Sequence, residues 1–157
     1  MMRLIFKQRI FSWFDSYDIY DEYQNTVFTV EGKLAWGKTL HINNARGEHI
    51  ATVKQKIFSF RPAYLLYLGE RLVGTIKKDF TFFKPSFSID CNGWEIDGNF
   101  FEWDYEVRDA NGGLVATISK KIMSWSDTYV LDVYNDADAI AVLMVALAID
   151  AEKDSRN

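Results

Sequence analysis

Apolar and polar residues alternate along most of this chain in short runs, with turn-forming residues between them, and four of the runs are versions of one another. The clearest pair is Ala51-Thr52-Val53-Lys54-Gln55-Lys56-Ile57-Phe58-Ser59-Phe60 and Ala116-Thr117-Ile118-Ser119-Lys120-Lys121-Ile122-Met123-Ser124-Trp125, 65 positions apart without a gap. Tyr64 and Tyr129 extend the match. Gly74-Thr75-Ile76-Lys77-Lys78-Asp79-Phe80-Thr81-Phe82-Phe83 is a third copy, and Leu4-Ile5-Phe6-Lys7-Gln8-Arg9-Ile10-Phe11-Ser12-Trp13 a fourth. Side chains two apart share one face of a strand, so each copy predicts a strand. Thr26–Val30, Lys38–Ile42, Tyr64–Leu68, Phe87–Asp90, Phe101–Val107 and Tyr129–Val133 are further strand candidates. Asn43-Asn44-Ala45-Arg46-Gly47 and Arg108-Asp109-Ala110-Asn111-Gly112, again 65 apart, predict turns in which Gly or Asn takes positive φ. Gly69-Glu70 and Gly93 read as tight connections. The pattern is that of an all-β meander built from a duplicated unit.

After Tyr134 the pattern changes. Asn135-Asp136-Ala137-Asp138 carries helix-starting residues with acids at the positive helix end. Ala139 to Ile149 are then uninterruptedly apolar, and Lys153 and Arg156 follow the far end. A helix with no polar face, here expected at about 136–151, has to be enclosed on all sides. The apolar run rises only about 16 Å, against a hydrocarbon core of about 30 Å, so enclosure by protein is predicted. Strands that close around the helix enclose it and remove their own edges at once. The expected fold is mainly β: a closed antiparallel β-barrel around a central apolar C-terminal α-helix, a single domain over residues 1–157 with its strands within 3–134.

The four aligned copies separate two faces. Leu4/Phe6/Ile10, Ala51/Val53/Ile57, Gly74/Ile76/Phe80 and Ala116/Ile118/Ile122 form the inward one. Outward positions carry Lys7 and Arg9, Lys54 and Lys56, Lys77 and Asp79, Ser119 and Lys121. The basic residues among them, Lys7, Arg9, Lys54, Lys56, Lys77 and Lys121, are the candidate ligand site, a surface for anionic headgroups, phosphates or an acidic partner. At about 1 kcal/mol per cation near an anionic membrane, such binding is weak and salt-sensitive. Lysines on outward strand positions also discourage edge association, and the sequence leaves both readings open. A barrel, moreover, presents four strands to one plane only if they are neighbours. Gln8, Gln55, Lys78 and Lys120 interrupt the inward face at one repeated position, where they either ring the barrel mouth near a helix end or snorkel to solvent. The segments Ser12-Trp13-x-Asp15-Ser16-Tyr17, Ser124-Trp125-x-Asp127-Thr128-Tyr129, Phe60-Arg61-Pro62-Ala63-Tyr64 and Phe83-Lys84-Pro85-Ser86-Phe87 read as hairpin connections whose aromatics pack over the barrel ends. Anchoring of Trp13 and Trp125 in a membrane interface is the alternative.

Composition narrows the function classes. The aromatic share is 16% with only two prolines, which favours strands, and the net charge of −4 argues against a general nucleic-acid binder. The lone Cys91 excludes an intramolecular disulfide and suits a reducing compartment. Arg3, Lys7 and Arg9 interrupt the N-terminal apolar residues, unlike a signal peptide. A cytoplasmic location, peripheral to a membrane at most and with no transmembrane segment, is expected. His41 and His49 lack a ligand cluster, and with Cys91 they do not make a zinc site. Asp15, Asp18, Asp21 and Glu22 are an acidic cluster without a calcium-ligand order. No phosphate-cradling loop or nucleophile elbow occurs. No catalytic residue, metal or cofactor is expected.

Lys7-Gln8-Arg9-Ile10-Phe11-Ser12-Trp13, Val30-Glu31-Gly32-Lys33, Leu40-His41-Ile42, Ser119-Lys120-Lys121-Ile122-Met123-Ser124-Trp125 with Asp127-Thr128-Tyr129, and the apolar helix ending Ala148-Ile149-Asp150 together resemble the LURP-one-related family of the tubby-like superfamily. The resemblance covers essentially the whole chain. It implies a twelve-stranded barrel around a C-terminal helix. LURP-one-related proteins look like tubby domains, which bind phosphoinositides, and like phospholipid scramblases. That likeness is one of fold, and no phosphoinositide pocket motif is matched here. The expectation is a non-enzymatic binding or scaffold module that associates reversibly with anionic phospholipid or phosphoinositide headgroups. The alternative is a protein–protein interaction module with an acidic partner and no lipid ligand.

Overall fold

The computed structural model describes residues 1–7, 16–34, 36–81, 86–100, 102, 104–123 and 126–154. Twelve strands follow in chain order: β1 (Met2–Lys7), β2 (Ser16–Tyr20), β3 (Thr26–Leu34), β4 (Lys38–Asn44), β5 (His49–Gln55), β6 (Ala63–Leu68), β7 (Arg71–Lys78), β8 (Phe87–Asp90), β9 (Glu95–Asn99), β10 (Asp104–Arg108), β11 (Leu114–Met123) and β12 (Ser126–Val133). All pairs are antiparallel, and β12 returns to pair with β1, giving the order β8-β7-β6-β5-β4-β3-β2-β1-β12-β11-β10-β9. The two end strands, β8 and β9, meet across a tight turn in which the Trp94 amide donates to the Cys91 carbonyl (2.9 Å), so the barrel is nearly closed. A 3-10 turn (Asp136–Asp138), capped by the Asn135 side chain accepting the Ala137 N–H at 3.1 Å, leads into α1 (Ala139–Asp154). From Val142 to Ile149 the helix is buried throughout, among Leu4, Phe6, Ile42, Val53, Leu66, Ile76, Ile118 and Leu131 of the strands. The expected architecture, strands around an apolar helix, is the one found.

The sequence duplication is a duplication of register. Val53 faces Leu66 as Ile118 faces Leu131, and Tyr64 faces Ile76 as Tyr129 faces Phe6. Bulges fall at Ile42/Asn43 and at Val107/Arg108, the equivalent place. The turns that follow are the same turn. Asn44 Oδ1 accepts the amides of Arg46 and Glu48 at 3.0 Å each, and Asp109 Oδ1 accepts those of Asn111 and Gly113 at 2.9 and 2.8 Å. Gly47 and Gly112 supply the positive φ, +83° and +81°. The β2–β3 turn is a further instance, with Asp21 Oδ1 accepting from Tyr23 and Asn25, both at 2.9 Å, and Gln24 at φ +69°. Asp21 of the acidic cluster thus has a turn-forming role.

Two expectations need correcting, and two strands were missed. Ile57 and Phe80 do not face inward; β5 ends at Gln55 and β7 at Lys78, so the alternation stops before them and both are exposed. Of the strand placed at Phe101–Val107, Phe101 and Trp103 lie outside the described residues, Glu102 is in a turn, and β10 is Asp104–Arg108. Strands β2 and β9 had no signal of their own: β9 reads Glu-Ile-Asp-Gly-Asn, and it forms by pairing along β10. Gly98 permits that approach, since a Cβ there would lie 2.4 Å from the Asp104 carbonyl oxygen.

A meander sends its connections alternately to two ends. The β2–β3, β4–β5, β6–β7, β8–β9 and β10–β11 turns and the start of α1 lie at one end, here the closed end. The β1–β2, β3–β4, β5–β6, β7–β8, β9–β10 and β11–β12 connections and the last turn of α1 lie at the other, the mouth.

Candidate functional site

The described basic candidates all stand at the mouth. Lys7 ends β1, Lys54 is the penultimate residue of β5 with Lys56 just past its end, Lys77 is penultimate in β7, and Lys121 lies in the last turnward part of β11. Lys7, Lys54, Lys56 and Lys121 are exposed and Lys77 is partly so; Arg9 lies outside the described residues. Cross-strand pairing sorts them into two groups. Lys7 and Lys121 both face Thr128 of β12. Lys77 faces Ala63 of β6, whose carbonyl accepts the Lys56 amide at 2.9 Å. These are equivalent rows of the two halves, and β6 and β12 stand six strands apart in a twelve-stranded order, on opposite sides of the barrel. The fold therefore joins Lys54, Lys56 and Lys77, joins Lys7 and Lys121, and separates the two sets around the barrel. It keeps both at one level along its axis.

Shallow grooves adjoin each set. Lys56 and Lys77 line one of about 240 Å³ with Leu65, Thr75, Ser88, Ile89 and Asp90, and Lys7 lines one of about 350 Å³ with Ser16, Asp18 and Tyr20. The acid among the aligned outward positions, Asp79, is occupied locally: Arg61 Nη1 approaches it at 3.3 Å, and the Ser86 and Ser88 hydroxyls donate to it. The girdle weakens toward β9–β10, where Glu102 and Asp104 stand.

Beyond the lysines the mouth presents apolar side chains to solvent. Trp36 in the β3–β4 turn, Ile57, Phe58 and Phe60 in the β5–β6 turn and Phe80 in the β7–β8 turn are 83%, 46%, 90%, 92% and 67% exposed. Phe60 and Phe80 meet edge to face, ring centroids 5.4 Å apart. The aromatic of the Phe60 hairpin was expected to pack over the barrel end; it projects instead, because β5 and β6 part at Gln55 and Ala63 and leave it beyond the core. Trp13 and Trp125 lie outside the described residues.

Under the mouth, the last turn of α1 is fastened by polar groups. Lys78 and Glu152 are both buried and form a long ion pair at 3.9 Å, and the Tyr64 hydroxyl donates to Glu152 at 3.3 Å. The Tyr129 hydroxyl donates to Asp150 at 3.2 Å. Two residues along a helix turn about 200°, so the paired tyrosines of the duplication grip the helix from opposite sides. Lys38 Nζ donates to the Ala151 carbonyl at 3.0 Å, satisfying a helix-end acceptor, while Gln55 accepts the Lys38 amide at 3.0 Å. Of the two readings for the repeated polar position, ringing the mouth describes Gln55 and Lys78, whereas Gln8 lies outside the described residues. Burial pushes the Glu152 carboxyl up against the pull of Tyr64 and Lys38. Burial and the neighbouring Lys120 bring the Lys153 amine down to about 8. The sequence carried half of this signal, in the tyrosines 65 apart; the carboxylates that meet them lay unassigned at the end of the helix.

Elsewhere, the outer-surface His41 and His49 rings stack at 4.5 Å, with His49 Nε2 within 2.9 Å of the Ala51 carbonyl and 2.8 Å of Thr52 Oγ1. Burial, then His49, lowers the His41 pKa. This pair was not foreseen, because the bulge that brings His49 opposite Asn43 has no mark in the pattern. Among the described residues no three His, Cys, Asp or Glu side chains gather as metal ligands. Nor, among them, is any helix long and apolar enough to cross a membrane.

The chain matches the LURP-one-related family over residues 2–150. It is 32% identical over 151 residues to the uncharacterised protein YxjI of Bacillus subtilis (strain 168), covering 96% of this chain and 93% of that one. A crystallographically solved Arabidopsis thaliana protein shares the fold, with a TM-score of 0.60 at 13% identity over 92% of this chain and 88% of its own.

Proposed function

This chain belongs to the LURP-one-related family, and from that premise we propose that it is a non-catalytic binding module that docks reversibly, mouth first, on an anionic phospholipid surface. Family membership is consistent with a binding module and names no ligand. The observation that carries the reading is the common level of Lys7, Lys54, Lys56, Lys77 and Lys121 at one end of the barrel. Side-on, a plane meets only one of the two lysine sets. End-on, with the barrel axis along the membrane normal, it meets both. The difficulty that the strands are not neighbours then disappears. At about 1 kcal/mol per cation, the girdle supplies weak affinity that falls as salt rises.

Co-sedimentation with phosphatidylcholine vesicles, with and without phosphatidylserine, tests this at low and physiological salt. Binding is expected only to the anionic vesicles, with greater occupancy at low salt. Reversal of Lys54, Lys56 and Lys77 to Glu is expected to abolish it. Unchanged binding by that folded triple variant would refute the reading. An absence of wild-type binding would move the search to a protein partner.

A further inference from the structure

We infer that the aromatic mouth hairpins are membrane-insertion tips: on docking, Trp36, Phe58, Phe60 and Phe80 enter the boundary between headgroups and acyl chains of an anionic bilayer. This rests on the end-on docking just proposed and adds what the lysines cannot supply. Trp36, Phe58 and Phe60 are 83%, 90% and 92% exposed, in a protein whose core fully buries side chains as large as Tyr129 and Tyr105. They sit at the tips of adjacent hairpins, β3–β4 and β5–β6, and Phe80 on β7–β8 joins them through its ring contact with Phe60. Contiguous exposed apolar groups call for an occupant. The lysine girdle identifies it: Lys54, Lys56 and Lys77 rise from the same hairpins just behind the aromatics. With the rings at the acyl boundary, the ammonium groups stand at the level of the phosphates. The depth order is that of an interfacial anchor, rings within and cations outside. The closed end also exposes Tyr23, Leu72 and Tyr134. Its turns are net acidic, with Asp21, Glu22, Glu48, Glu70 and Asp109 against Arg46 and the adjoining Arg71, so an anionic surface disfavours that end.

Depth-dependent fluorescence tests the inference in the full chain. An environment-sensitive fluorophore is placed on Phe58→Cys, with Glu48→Cys at the closed end as control, and the natural Cys91 is buried. Phosphatidylserine-containing vesicles should raise emission at position 58, and bromine atoms on the acyl chains should quench it; position 48 should respond to neither. The double variant Phe58→Ser/Phe60→Ser should bind at low salt yet lose about tenfold or more at physiological salt, where the girdle alone is screened. If position 58 stays dark while the protein still co-sediments, the insertion is wrong and the electrostatic docking survives. If the wild type does not bind anionic vesicles at all, both readings fail together. A wild-type dimer in solution that Phe58→Ser/Phe60→Ser dissociates would overturn the insertion in favour of a second copy covering the tips.

Discussion

The two ends of the barrel are made of the same repeat yet solve different problems. At the closed end the turns are short, and three of them bind their own amides, while the β6–β7 turn donates from Gly69 to the Ile50 carbonyl. Asn44, Asp109 and Asp21 turn their own carbonyl or carboxylate oxygens onto the amides that follow. The charges in and beside these turns and in the lead to α1 are mostly acidic: Asp21, Glu22, Glu48, Glu70, Asp109, Asp136 and Asp138, against Arg46 and Arg71. At the mouth the β5–β6 and β7–β8 connections are longer, project aromatic rings and stand on lysines. The β4–β5 and β10–β11 turns of the duplicated halves agree bond for bond, and the shared tyrosines agree at the mouth in gripping the helix. One end is thus largely self-contained, and the other exposes cations and aromatic rings. Surface that exposes Phe58 and Phe60 gains nothing in fold stability by doing so.

The largest effect that bears on this contrast falls on the element joining the ends. Ending the chain at Tyr134 removes Val142, Leu143, Met144, Val145, Leu147 and Ile149, all fully buried. At about 1.5–3 kcal/mol each, their loss rivals the net stability of a whole domain, about 5–15 kcal/mol. The truncated chain should show no cooperative melting in calorimetry; a native-like transition would contradict an enclosed helix. Val145→Asp should be nearly as damaging, because the carboxylate is buried without a partner.

Next in size is charge placement. Reversing Glu22, Glu48 and Glu70 to Lys at the closed end changes the net charge as much, in magnitude, as reversing Lys54, Lys56 and Lys77 at the mouth. Only the mouth variant should lose vesicle binding. If the closed-end variant instead gains as much binding as the mouth variant loses, net charge governs and the two ends are not distinct.

Within the mouth, Lys78→Ala leaves Glu152 buried with Tyr64 as its remaining direct partner at the ion-pair site. A loss of about 2–3 kcal/mol is expected, read from urea midpoints. Lys78→Met with Glu152→Gln should recover most of it, since removing both charges avoids the burial of one. The matching substitution at the closed end, Asp109→Ala, releases two turn amides to solvent. It should cost about 1 kcal/mol, because water takes over the exposed donors.

How far the sequence reveals these two ends depends on the range of the interaction. The closed end was legible because its turns are local: Asn44 and Asp109 bond within four residues, and Gly47 and Gly112 mark the positive φ. The enclosed helix was legible from its lack of a polar face. Strands β2 and β9 were not, because pairing with β3 and β10 holds them in spite of weak patterns of their own. At the mouth, the lysines were visible as a repeated outward position, but their common level follows only from the alternation of a complete meander. The inward expectation for Ile57 and Phe80 failed for a related reason: a two-residue period does not say where a strand stops.

A last prediction separates the ends by pH. At the mouth, burial holds the Lys153 amine near 8 in the folded protein, against an ordinary 10.5. Below pH 8 it is protonated in both states; between 8 and 10.5 the unfolded chain keeps a proton that the folded one has released. Stability attributable to this group therefore rises with pH across that window. At the closed end, hydrogen bonds from Asn25 hold the Asp21 carboxyl below its ordinary 3.8. Its contribution is present above that value and is lost as pH falls through the folded pKa. Urea midpoints measured along pH for the wild type, Lys153→Met and Asp21→Asn should split accordingly. Relative to wild type, Lys153→Met should lose the alkaline rise and keep the acid loss, and Asp21→Asn should do the reverse. A Lys153→Met curve parallel to wild type above pH 8 would mean that the amine is not confined by the packing around the last helical turn.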